Sequence, residues 1–300
     1  MRRVKAAWAL LICALSPAAS AQGQTGPPPT DIFIVELRGR AGSLSAGTPA
    51  NITNRDGYDN QPMFLRDGGA IFYTSIREDG QADIYRYDLK TRSSSKVTDT
   101  KESEYSATVT PDGRSFSVIR VEADSTQRLW KFPLAGGEPA LVLKGIKPVG
   151  YHAWLDGQTL ALFILGEPNT LQLVDARTEK AEVVAQNIGR SLHRMGGGGR
   201  VSFVHKESEK DWVIKELDLK TRKITPITRT LPGSEDYAWT PGGSLLMAKE
   251  SKLYEWKRGK DAKWREVADF SGHGIRGITR LAVSPSGDRL ALVASLGAKP

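Results

Sequence analysis

The sequence predicts an all-β chain, a six-bladed β-propeller of four-stranded blades, on three observations. A tight-turn glycine followed by apolar residues three and five positions later recurs six times at near-constant spacing. Each unit carries a second apolar strand, and the chain begins with the half-unit that its last unit lacks. Beyond the first twenty residues no apolar run approaches the roughly eighteen that a membrane helix needs.

The elements follow in chain order. Met1 to Lys5 carries Arg2, Arg3 and Lys5, Ala6 to Leu15 is almost wholly apolar, and Ala19-Ser20-Ala21 supplies the small residues a signal peptidase accepts. Residues 1–21 therefore read as a cleaved secretory signal, which places the mature protein in the periplasm or outside the cell. An uncleaved anchor is the alternative, opposed by the shortness of the apolar run. Residues 22–29, ending in three prolines, read as an extended linker. Residues 30–300 are left as one propeller domain.

Within it, Asp31 to Leu37 and Ile52 form a half-unit. The turn glycines Gly68, Gly113, Gly157, Gly198, Gly243 and Gly287 then follow at intervals of 45, 44, 41, 45 and 44 residues. Their third followers are Ile71, Phe116, Leu160, Val201, Leu246 and Leu290; their fifth are Tyr73, Val118, Leu162, Phe203, Ala248 and Leu292. Period-two spacing predicts a strand with one buried face, because successive side chains point to opposite sides of a sheet. The next strand is clearest at Asp83 to Leu89, and a short Val/Ile strand closes most units, near Val97, Val142, Val184, Ile227 and Val267. Residues 31–53 and 279–296 each leave an unpaired edge, so their pairing completes a sixth blade and closes the ring.

The stretches TPDGR (Thr110 to Arg114) and FYTSIREDGQADIYRYDL (Phe72 to Leu89) resemble the repeat of TolB-type six-bladed propellers, and the pattern returns at Ser284-Pro285-Ser286-Gly287 and Thr240-Pro241-Gly242-Gly243. The resemblance covers essentially the whole mature chain and implies the propeller fold. TolB proper carries an α/β domain ahead of its propeller, whereas only the short linker precedes the first strand here, so the resemblance implies a stand-alone relative.

Composition narrows the function. Formal charge is +8, and removing Arg2, Arg3 and Lys5 with the leader leaves +5, too little to imply nucleic acid. The single cysteine, Cys13, falls in the leader, which excludes disulfides and thiol chemistry from the mature chain. Gly-x-Ser-x-Gly is absent, and the glycines after Met195 lack the Gly-Lys-Ser/Thr of a phosphate loop. The basic stretch Lys257-Arg258-Gly259-Lys260 reads as a solvated hairpin tip.

The informative set lies at the starts of the innermost strands, which face the channel of a propeller. His152 and His193 occupy equivalent positions in consecutive units, with Tyr237 at the same place in the next. Gln61, Tyr151, Asp236 and Arg280 precede that position in their units, and Asp59, Asn60 and Tyr105 lie near it. These ten are candidate ligand-binding residues at a channel mouth. The expected function is a non-enzymatic, envelope-associated scaffold, monomeric, without cofactor, binding a protein or peptide. Two alternatives stay open. One is a metal-dependent lyase or lactonase-like hydrolase, with His152, His193 and Asp236 as ligands; the other is binding of a carbohydrate or envelope polymer. The plainer reading of the histidines is that they bond to water or backbone in the channel wall.

Overall fold

In the computed structural model, which describes residues 27–296, all six turn glycines lie between an innermost strand and its neighbour. Five of them, Gly157 being the exception, adopt φ between 69° and 97°, a conformation that a side chain would strain. The leader and Cys13 lie outside the described residues. No helix among the described residues is long and apolar enough to cross a membrane.

Five blades are continuous antiparallel sheets, ordered from the channel outward. Blade one is Tyr58–Phe64, Ala70–Ile76, Ala82–Asp88 and Ser93–Lys96. Blade two is Ser103–Val109, Ser115–Val121, Gln127–Pro133 and Ala140–Leu141. Blade three is Val149–Trp154, Thr159–Ile164, Thr170–Asp175 and Ala181–Gln186. Blade four is Ile188–Met195, Arg200–Lys206, Trp212–Asp218 and Ile224–Arg229, and blade five is Tyr237–Trp239, Ser244–Lys249, Lys252–Lys257 and Arg265–Asp269.

Blade six joins the two ends of the chain. Leu281–Val283 pairs with Arg289–Leu296, which pairs with Asp31–Arg38 from Asp31↔Ala294 to Glu36↔Arg289. The short strands Ser45–Ala46 and Ala50–Asn51 complete its outer edge. The expected closure is therefore the observed one.

The core is divided as a propeller requires. Six apolar clusters form, one in each gap between neighbouring blades, such as Phe72 and Ile84 against Phe116, Val118 and Phe132 between blades one and two. Each blade is thus sandwiched, and its second strand is buried on both faces; in Ala70–Ile76 all but the last residue are buried. This corrects the expectation of one buried face. Blade five brings a second correction. Its turn bond runs from Thr240 N to Ser244 O, one residue shorter than Leu65 N to Ala70 O in blade one. Leu245 and Met247 therefore face blade four, and Leu246 and Ala248 face blade six, opposite to their counterparts Ile71 and Tyr73.

Candidate functional site

The innermost strands enclose an open central channel of about 520 Å³, lined by residues of all six blades. Four of these strands are bulged near their starts, between Asn60 and Met63, Tyr105 and Thr108, Val149 and Tyr151, and Ile188 and Leu192. At the first two the backbone passes through positive φ, 55° at Gln61 and 57° at Ser106. A bulge re-aims the side chains beside it, and that decides which candidates reach the channel.

Gln61, Tyr151, His152, His193, Asp236, Tyr237 and Arg280 line it. Asp59, Asn60 and Tyr105 are not among the lining residues, because the residues ahead of the bulge turn into the blades. Asp59 is fully buried, with Arg55 Nη1 3.3 Å from its carboxylate, and burial pushes its pKa up against that guanidinium. Asn60 donates to Thr30 Oγ1 at 3.3 Å, and Tyr105 packs on the cluster between blades two and three.

At the mouth where the innermost strands start, Asp236 is the hub. Arg190 Nε donates to its Oδ1 at 3.1 Å, and Arg280 Nη1 stands 3.2 Å from the same oxygen. Burial raises the Asp236 pKa, but Arg280 and Arg190 outweigh it and hold the carboxyl below its ordinary value. Arg280 also donates through Nη2 to Tyr151 OH at 2.6 Å. The same Arg190 Nε lies 3.5 Å from a Glu235 carboxylate oxygen, and Lys206 pairs with Glu235 at 3.0 Å. Tyr58 stands by this group; burial, partly offset by Arg280, pushes its hydroxyl up to about 12.

The histidines are wall residues with different neighbours. His152 Nε2 lies 2.6 Å from Ser117 Oγ, which also accepts from Trp154 Nε1 at 2.9 Å, and burial lowers its pKa to about 3. One repeat pair on, Ser202 Oγ accepts from Tyr237 OH and Trp239 Nε1, both at 2.9 Å. The His193 ring lies against that of Tyr237, tilted by 52° with centres 4.5 Å apart, and burial takes its pKa to about 4 although the residue is only partly buried in the channel wall.

The candidate metal set does not converge. Among the described residues no three His, Cys, Asp or Glu side chains form a group that could hold an ion. Asp236 is committed to two guanidiniums, and His152 to Ser117. Such neighbours satisfy a wall; they do not present a ligand shell.

Sequence reasoning missed Arg190, Tyr58 and the two serine hubs. Arg190 reaches the mouth only through the blade-four bulge, which no local pattern announces. The hubs did leave a trace. Ser117 and Ser202 stand four residues after Gly113 and Gly198, and a tryptophan ends the next innermost strand in each case.

No family model and no curated protein matches the sequence. Solved structures do match by shape. A protein assigned as TolB from Agrobacterium tumefaciens superposes with a TM-score of 0.72 at 15% identity, covering 91% of this chain and 100% of that one. TolB from Acinetobacter baumannii gives 0.56 at 15% identity, over 88% of this chain and 64% of that one. An oligogalacturonate lyase in complex with manganese gives 0.51 at 14% identity, over 90% and 98%. At such identities the likeness establishes the fold alone: this chain is a six-bladed β-propeller, similar in fold to TolB and to other propeller proteins.

Proposed function

We propose that the protein is an exported, periplasmic or secreted, non-enzymatic scaffold that binds a protein or peptide partner at the channel. The observation that carries this reading is the channel itself: an open cavity of about 520 Å³ to which every blade contributes, with a charged and aromatic mouth. The ring behind it is closed and buried between all blades, so the mouth is presented on a rigid frame. Export is supported by the leader pattern of residues 1–21.

The test is photocrosslinking in an exporting cell, with a photoreactive phenylalanine placed at Thr108 or Val283 in the channel, or at Val183 on an outer blade edge. A discrete polypeptide adduct is expected from the channel positions and not from Val183. Adducts from Val183 alone, or none from the channel, overturn the reading.

A further inference from the structure

Four arginines line the channel, Arg66, Arg190, Arg194 and Arg280, against a single acidic residue, Asp236. That surplus of three positive charges, gathered in one channel lining, is several times denser than the +8 spread over the 300 residues of the chain. His152 and His193 add nothing to it near neutral pH, since burial keeps both rings uncharged.

The charge is distributed along the channel. Arg190 and Arg280 share Asp236 at one mouth. At the opposite, turn-side mouth Arg66 and Arg194 are exposed, and among the described residues neither has a carboxylate in salt-bridge range. They bond only to backbone oxygens: Arg66 Nη2 to Thr110 O at 2.9 Å and to Pro111 O, and Arg194 Nη2 to Gly197 O at 3.0 Å. Asp156 lies near Arg194, but its oxygens already accept from Gln158 N, Thr159 N and Thr159 Oγ1. Each guanidinium has five N–H donors, so most of those on Arg66 and Arg194 are left for a ligand. At the level of Arg194 stand Trp154 and Trp239, and deeper in the channel lie Met63 and Leu192 beside Thr108, Ser191 and the two histidines.

Arg190 and Arg194 sit on one strand; because its bulged stretch from Ile188 to Leu192 covers only His205 to Phe203 of the neighbouring strand, the two lie on the order of 10 Å apart along the channel. A ligand that meets the cations at both ends must therefore be extended, and it must be narrow, because a cavity of about 520 Å³ admits a short segment and no folded domain. We propose that the channel takes an extended, acidic peptide segment of the partner, with carboxylates on Arg66 and Arg194 at the turn-side mouth and apolar side chains against the tryptophans. This inference rests on the partner-binding reading above and specifies the partner's chemistry.

The probe is a fluorescent peptide alternating Glu and Leu, compared with its Gln-Leu counterpart by anisotropy on the whole mature protein. The Glu-Leu peptide is expected to bind more tightly, and to weaken as salt rises from about 50 to about 300 mM, since exposed ion pairs are screened. Arg66→Gln with Arg194→Gln is expected to weaken it about fivefold, two exposed pairs being worth roughly 1 kcal/mol together, and to flatten the salt dependence. Both side chains are exposed, so an unchanged melting temperature checks that the double variant is folded. Equal binding of the Gln-Leu peptide, no binding of the Glu-Leu peptide, or no effect of the double variant overturns the acidic specificity. Channel crosslinks to a polypeptide in that event leave the partner-binding reading standing. Displacement by oligogalacturonate together with absence of those crosslinks removes both.

Discussion

At the scale of single residues, the channel wall is held by polar groups that have no spare partner. Ser202 is fully buried and, among the described residues, is the only acceptor for both Tyr237 OH and Trp239 Nε1. Ser202→Ala leaves two inward donors unsatisfied, and a loss of about 2–4 kcal/mol is expected, measured as a drop in urea midpoint at unchanged slope. His152 gives the protein an acid sensitivity of definite sign. Its folded pKa is lowered to about 3 from an ordinary 6.5, so the unfolded chain takes up a proton that the folded one refuses. Stability is then complete above about pH 6.5 and falls as pH drops towards the folded value, by up to about 1.4 kcal/mol per pH unit. His193, with a folded value of about 4, acts in the same direction over a narrower window. Melting temperature followed from pH 7 to about pH 4.5 should decline, and His152→Gln should make that decline shallower.

At the scale of elements, one buried carboxylate latches the closing blade to its neighbour. Glu255, on the third strand of blade five, is fully buried and accepts from the backbone of Gly42 and Leu44, with Arg265 paired to it. Glu255→Ala should free the loop between Arg38 and Ser45, costing about 2–4 kcal/mol and raising amide hydrogen exchange at Gly42 and Leu44. Legibility in the sequence also divides by element. The turn glycines and second strands could be read because a glycine turn followed by period-two apolar residues has few other solutions. In blade five the facing of that strand could not, since Leu245, Leu246, Met247 and Ala248 are all apolar and the sequence carries no mark of which pair belongs to which gap. The mouth was half legible for a similar reason. Positions from Tyr151 onward in blade three kept the expected phase, while Asp59, Asn60 and Tyr105 lie ahead of bulges set by backbone conformation at Gln61 and Ser106.

At the scale of the whole molecule, the ring depends on its seam. A chain beginning at residue 54 lacks Asp31–Arg38, which bares the edge of Arg289–Leu296 and the apolar gaps on both sides of blade six. Such a protein should melt at lower temperature and elute as aggregates in size-exclusion chromatography, where the chain with Asp31–Arg38 in place is expected to elute as a monomer. The seam also fixes an order of events. Asp31 and Ala294 are partners separated by 263 positions, so no nascent chain can form this pair until nearly all of it has been made. The remaining five blades are hairpins joined by short turns and are complete locally, so they can assemble while Asp31–Arg38 waits. Closure is then the slow, final step of folding, and the last strand to emerge is the one that ends the exposure of the first.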